Sequence, residues 1–332
     1  MNFRSIAELN QDVVANLHQL PRDIDVVVGI ARSGMLPASI IALALNLPLA
    51  EMRHFSTGKL LGTGGTRKTM RSDISFADVR HALIVDDSIH TGTSLQEARE
   101  LLAPFADKMQ LTFCAIYAAD ATPLGDELTL VHLPQPRVFE WNLMHHPVLN
   151  AACVDIDGVL CLDPTSEQND DGPAYLDFLR EATARPIPTA RIKELVTSRL
   201  EKYRPETEAW LKKHNVDYEK LVMLDLPSAE ERRRLGAHAS FKGEHYRKSN
   251  ATIFIESELP QAAEIANISG KPVLSIEGPV MCYPGVSTAS IMHRIRGNAG
   301  PRKRVLRFVR RVVGAKRYEH AKTLLKPRRA KA

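Results

Sequence analysis

The segment Ala82–Leu95, ALIVDDSIHTGTSL, limits the fold more than any other stretch of the chain. Its apolar, β-branched start reads as a buried strand. The two carboxylates that follow, Asp86 and Asp87, are too costly to leave in an apolar core, so the strand must lead to an edge where water or a ligand meets them. Thr91-Gly92-Thr93-Ser94 then opens a helical pattern. Strand, glycine turn and helix in that order make half of a parallel α/β unit, which binds its ligands at the carboxyl edge of the sheet. The same order surrounds it at Asp25–Ile30 (DVVVGI), Leu111–Tyr117 (LTFCAIY) and Leu128–His132 (LTLVH). It then restarts at Ala151–Val154, Ile192–Thr197, Leu221–Leu224, Ala251–Ile255 and Pro272–Ile276. The pattern predicts an α/β protein with two Rossmann-like parallel-sheet domains in tandem.

Length agrees, since 332 residues exceed one ordinary domain at roughly 100–200 residues each. Pro134, Pro136 and Pro147 flank the expected junction, giving domains at 1–147 and 148–288 and a tail at 289–332. A composition of 44% apolar and 25% charged residues is that of a soluble globular chain. No apolar run approaches the ~20 residues of a membrane span, and the first residues lack the basic-then-apolar order of a secretory signal, so a cytoplasmic location is expected. Cys114, Cys153, Cys161 and Cys282 are scattered without a C-x-x-C pair, which favours buried thiols over zinc or disulfides. Charge is uneven. From His293 onward there are fifteen Lys or Arg and one acid, Glu319, whereas the preceding 292 residues hold 29 basic and 38 acidic side chains.

Two adjacent carboxylates before a glycine turn suit the hydroxyls of a sugar and a hydrated magnesium ion, and the turn's hydroxyls and N–H groups suit a phosphate. V-D-D-x-x-x-T-G-T-S resembles the signature of the type I phosphoribosyltransferases. The resemblance implies that Asp86 and Asp87 face the ribose hydroxyls of phosphoribosyl diphosphate and that Thr91, Gly92, Thr93 and Ser94 hold its 5-phosphate. It also puts the diphosphate loop at Ala31, Arg32, Ser33 and Gly34, after DVVVGI, with the arginine fork available to phosphate oxygens. His54–Asp73, rich in glycine and carrying Lys59, Arg67, Lys68 and Arg71, resembles the loop that closes over the reacting centre in that family. The implied chemistry is displacement of magnesium diphosphate at the anomeric carbon with inversion, aided by positioning and charge stabilisation.

The second half carries its own constellation. ACVDIDGVL puts Asp155 and Asp157 two residues apart after a strand, so both face the same way, one able to attack phosphorus and the other to handle a proton. D-x-D-G-V-L resembles the haloacid-dehalogenase superfamily of phosphatases. That resemblance implies an aspartyl-phosphate on Asp155, phosphate binding by Thr197, Ser198 and Lys242 (with Lys248 as the alternative lysine), and magnesium held by Asp155, Asp157 and Glu256, with Glu258 nearby. Glu256-Ser257-Glu258 departs from the family's adjacent acids and leaves the second acid's role open. Only 41 residues separate Asp155 from Thr197 and 44 separate Thr197 from Lys242, too few for a large cap domain.

Glu140, Trp141 and His145 close the first domain and are candidates for the acceptor site, by ring stacking or proton transfer; an aromatic anchor at a domain junction explains Trp141 equally well. In the tail, Arg302–Val313 places Val305, Phe308, Val309 and Val312 on one helical face, which suits an anionic membrane surface at the inner face of the membrane. Nucleic acid is a less favoured partner for it. Both motif sets together resemble bifunctional glycan phosphoribosyltransferase-phosphatases of bacterial polysaccharide assembly. The resemblance implies transfer of phosphoribosyl to a lipid-linked glycan acceptor, then removal of the 5-phosphate, to leave a ribofuranose. The rival readings are a nucleobase phosphoribosyltransferase fused to a nucleotidase, and a non-catalytic nucleotide-sensing regulator that binds nucleic acid. The sequence does not speak to oligomeric state.

Overall fold

The computed structural model describes residues 1–61, 74–119, 125–169, 171–287 and 289–290. The chain forms two compact units, one from Met1–Leu149 with Pro188–Ala190 and the other from Asn150–Ile187 with the chain from Arg191 onward.

The first unit begins with β1 (Asn2–Arg4) and α1 (Ile6–Asn16), whose start is fixed by a reciprocal capping box between Ser5 and Glu8. Then come β2 (Val26–Gly29), α2 (Met35–Leu45), β3 (Leu49–Glu51), α3 (Met52–Phe55), β4 (His81–Ile89), α4 (Thr93–Leu102), β5 (Gln110–Ala118), β6 (Leu128–His132) and β7 (Arg137–Phe139). Five strands form a wholly parallel sheet in the order β3-β2-β4-β5-β6, while β1 and β7 pair separately. Strand alternation gives each face its core. Val27, Leu83 and Val85 pack with Leu9, Val13, Ala38 and Ile41 of α1 and α2. Val26, Val28, Ala82 and Ile84 pack on the other face with Leu95, Ala98 and Leu102 of α4.

The second unit runs β8 (Ala152–Val154), α5 (Pro173–Glu181), β9 (Ile192–Leu200), α6 (Arg204–Lys213), β10 (Tyr218–Leu224), α7 (Ala229–Arg234), α8 (Ala237–Lys248), β11 (Ile253–Glu256), α9 (Leu259–Ser269), β12 (Val273–Ser275) and β13 (Val280–Cys282). Its sheet order is β10-β9-β8-β11-β12-β13, parallel except for the antiparallel edge pair β12·β13.

Two features differ from the sequence pattern. The strand expected to stop at Val85 continues to Ile89, because Asp86, Ser88 and Ile89 stay in register with Ala115, Tyr117 and Ala118 of β5. The short strands β1, β3, β7 and β13 carry too few residues to show a period. The basic tail beyond residue 290 and the loop positions Arg67, Lys68 and Arg71 lie outside the described residues. All four cysteines are free and buried, and burial pushes the Cys114 and Cys153 thiols up to about 12. No helix among the described residues is long and apolar enough to cross a membrane.

Candidate active sites

In the first unit the site is built where β2 and β4 end. Gly34 makes this possible: a Cβ there would lie 2.6 Å from the carbonyl oxygens of both Ile30 and Val85 and 3.0 Å from Asp86 Cα. With only a hydrogen in that place, the Ala31–Gly34 loop settles directly on the β4 backbone beside the acid pair, and Ile30 N–H bonds to Val85 O at 2.9 Å. The Ala31–Arg32 peptide is cis. Ala31 and Arg32 are exposed, as is Lys59.

Adjacent residues of a strand face opposite ways, and this divides the acid pair. Asp86 lies on the α4 face and lines a cavity of about 110 Å³ together with Ser88, His90, Thr91, Gly92, Thr93 and Ser94. Gly92 takes a positive φ of 80°, which turns the chain into α4 at little cost. The Thr91 and Thr93 hydroxyls lie 2.8 Å apart at that helix start. Asp87 faces the other side, where Trp141 Nε1–H donates to its Oδ2 at 2.6 Å. Trp141 stacks on Phe139, with centroids 4.6 Å apart and planes 10° apart, and Phe139 stacks on Tyr117. The buried Arg137 guanidinium donates to the carbonyls of Leu133 and Ile89, fixing the end of β4. Burial, and then the charge of Asp87, push the Asp86 carboxyl up to about 7. Two such acids repel one another, so the pair suits a cation or hydroxyl donors.

The other acceptor candidates are engaged elsewhere. Glu140 Oε2 accepts from Ile6 N–H at 2.7 Å, at the start of α1, and His145 Nδ1 lies 2.9 Å from Thr189 Oγ1.

In the second unit, one cavity of about 220 Å³ is lined by Asp155, Asp157, Thr197, Ser198 and Lys242, joined by Asp163, Tyr175, Arg232, His238 and Glu258. Lys242, from the middle of α8, donates to Asp155 Oδ2 at 2.6 Å and to Glu256 Oε2 at 2.9 Å; Lys248 is exposed at the end of that helix. Burial, with Glu256 and Asp157 adding to it, pushes the Asp155 carboxyl well above its usual range against the pull of Lys242. Glu256 is fully buried, and its Oε1 accepts from the N–H and hydroxyl of Ser257 at 2.9 and 3.1 Å. Glu258, not Glu256, reaches the cavity wall.

Sequence reasoning missed Arg199. Its guanidinium is buried and grips Asp157 with Nη2 at 2.6 Å and Nε at 3.2 Å. Burial would raise the Asp157 pKa, but the Arg199 charge and hydrogen bonds hold it below the usual carboxylate range. The signal was spacing, because Arg199 follows Thr197 by two on β9. No group of three or more His, Cys, Asp or Glu side chains among the described residues is arranged to hold a metal. Magnesium needs no such cage, since it keeps waters and takes one or two carboxylates with substrate phosphate. Three buried or half-buried carboxylates, Asp155, Asp157 and Glu256, stand against two cations, Lys242 and Arg199, and in that respect the donor set fits the ion.

Residues 3–143 match the family model for the phosphoribosyl transferase domain. Over 139 residues, 41% of this chain and 80% of the relative, the chain is 32% identical to a xanthine-guanine phosphoribosyltransferase from Chromohalobacter salexigens. It is also similar to the solved xanthine-guanine-hypoxanthine phosphoribosyltransferase of Helicobacter pylori (14% identity, 43% of this chain and 92% of that one, TM-score 0.32). A further likeness is to a purine phosphoribosyltransferase of Pyrococcus horikoshii (20% identity, 42% and 92%, TM-score 0.31). The Chromohalobacter salexigens relative, which is named for purine bases, overturns the expected glycan acceptor and with it ribofuranose installation on polysaccharide. The motif that carried the expectation binds the phosphoribosyl donor, which is common to both classes, and so could not select the acceptor. Through its first unit, the chain belongs to the phosphoribosyltransferase family.

Proposed function

We propose that the first unit transfers the 5-phosphoribosyl group from phosphoribosyl diphosphate to a purine base, and that the second hydrolyses a phosphate monoester as a nucleotidase. One observation carries the transfer reading. Gly34 seats the 31–34 loop against Asp86, and Asp86 shares a cavity with the Thr91–Ser94 turn, within a segment 32% identical to a xanthine-guanine enzyme.

In this reading a ring nitrogen of the base attacks the anomeric carbon as the bond to diphosphate breaks. The electron pair leaves with the diphosphate, the base loses its proton, and the ribose carbon inverts. Arg32 and the N–H groups of the loop hold the departing diphosphate, Thr91–Ser94 fix the 5-phosphate, and Asp86 and Asp87 take the ribose hydroxyls. A magnesium ion, when bound with the diphosphate beside the acid pair, would neutralise leaving-group charge. Trp141 offers a flat ring beside Asp87, of the kind on which a base can stack.

In the second unit, an Asp155 oxygen attacks phosphorus as the P–O bond to the alcohol breaks, the departing alkoxide takes a proton from solvent water, and a second water then hydrolyses the acyl phosphate. Thr197 and Ser198 donate to phosphoryl oxygens, and Asp157, held ionised by Arg199, accepts the water's proton. Asp155 with Glu258 or Glu256 would hold magnesium, which would draw charge from the phosphoryl oxygens.

Incubation with phosphoribosyl diphosphate, magnesium and guanine, xanthine or hypoxanthine should release diphosphate and form the nucleoside monophosphate, followed by free phosphate. Failure to consume the donor with any of the three bases would sink the transfer reading.

A further inference from the structure

The cation first assigned to the phosphoryl group in the second unit is already neutralised. Lys242 lies within 2.9 Å of two carboxylates, Asp155 and Glu256. Arg232 lines the same cavity and differs in every respect that matters. It is only 6% exposed, yet among the described residues no carboxylate lies within ion-pair distance of it. Its Nη1 donates to a neutral acceptor, Ser198 O, at 2.8 Å, and its Nε is buried without a hydrogen-bond partner. A buried guanidinium without a counter-charge, and with an unmet donor, is expensive unless an anion completes it. Placement narrows the anion. The bond to Ser198 O ties Arg232 to the end of β9, where Thr197 and Ser198 line the cavity. His238 on the cavity wall is held below its usual range by burial and then by the charges of Arg232 and Lys242. The same cavity is also lined by Asp155, Asp157, Asp163 and Glu258.

We propose that Arg232 is the anion-binding residue of this cavity, its guanidinium completed by an oxygen of the substrate's phosphoryl group. The inference rests on the phosphatase reading of the second unit and assigns the role to Arg232 beyond the lysine in α8. Arginine supplies a directional fork, and a lysine in its place supplies a point charge without one.

The test measures hydrolysis of p-nitrophenyl phosphate and its inhibition by inorganic phosphate in the full chain, in Arg232→Lys and in Arg232→Met. We expect KM and the phosphate inhibition constant to rise together, by about tenfold in the lysine variant and about a hundredfold in the methionine variant, with unchanged thermal midpoints in the lysine variant. Should Arg232→Met fail to fold, Arg232→Lys alone decides. Unchanged KM and phosphate inhibition in an active, folded Arg232→Lys protein overturn the role of Arg232. Wild-type protein that neither hydrolyses the ester nor binds phosphate overturns the phosphatase reading itself.

Discussion

At the scale of single residues, the acid pair carries two predictions. Asp86 has a pKa of about 7 in the folded chain against an ordinary 3.8, so the folded state holds more protons than the unfolded chain between those values. Stability from this group is therefore greatest below about pH 4 and is lost as pH rises toward 7. Asp87→Asn removes the like charge, lowers the Asp86 pKa and should flatten that slope; thermal midpoints at pH 5 and pH 8 check it, and an unchanged difference would show that burial alone sets the shift. The second prediction concerns Trp141, whose indole N–H holds Asp87 at 2.6 Å. Trp141→Phe keeps a ring on Phe139 but removes the donor. A hydrogen bond to a charged group is worth about 1.5–3 kcal/mol, so the thermal midpoint should fall by a few degrees, and with Asp87 no longer held in place transfer should slow about tenfold. A rate within twofold of wild type would remove Trp141 from the site. These contacts were illegible in the sequence for a definite reason. The two acids were readable as a pair, but their division between opposite faces depends on β4 continuing past Val85, and that continuation is set by β5 rather than by local residues.

At the scale of elements, long strands and helices were readable because burial on both faces writes an apolar run into them. Leu128–His132 matches the expected span, while the Val26–Gly29 and Gln110–Ala118 strands differ from their runs by one residue at each end. The three-residue strands β1, β3, β7 and β13 had no such record, whereas β8 and β12, of the same length, fall within the apolar runs at 151–154 and 272–276. Helix contacts were hidden as well, and Gly243 illustrates why. In α8 it looks like a weak helix position, and replacing it with alanine should gain up to about 1 kcal/mol of helix propensity. A Cβ there would, however, stand 2.8 Å from Ile268 Cβ and 2.9 Å from its Cγ2 on α9. Those atoms sit at the branch of a stiff side chain, so they cannot swing away, and overpacking of this kind costs about 1–3 kcal/mol. Gly243→Ala should therefore lower stability in denaturant titration. Adding Ile268→Ala tests the cause, since relief of the clash makes the double variant more stable than the two separate losses would sum to.

At the scale of the whole chain, the two sites have separate carboxylates, separate cavities and separate sheets, and their chemistry should be separable by substitution. The resemblance carried by D-x-D-G-V-L pointed to Asp155, Asp157, Thr197, Ser198 and Lys242, which line one cavity, whereas Arg232 sits in the run Arg232-Arg233-Arg234, which reads as a solvated helix face. Only the fold buries the first of the three and exposes the others. Under the proposed reading, Asp155→Asn removes the carboxylate oxygen assigned to attack on phosphorus and leaves the carboxylates of the first site, Asp86 and Asp87, in place. With phosphoribosyl diphosphate and a purine base, this variant should form nucleoside monophosphate at the wild-type rate and release no free phosphate from it. The paired change Asp86→Asn with Asp87→Asn should do the reverse, sparing hydrolysis of supplied nucleoside monophosphate while abolishing its synthesis. Chromatography of base, nucleotide and nucleoside over one time course reads both. If Asp155→Asn still yields nucleoside, the phosphate is not removed through that carboxylate, and the order of events assigned to the second unit falls while the transfer reaction stands.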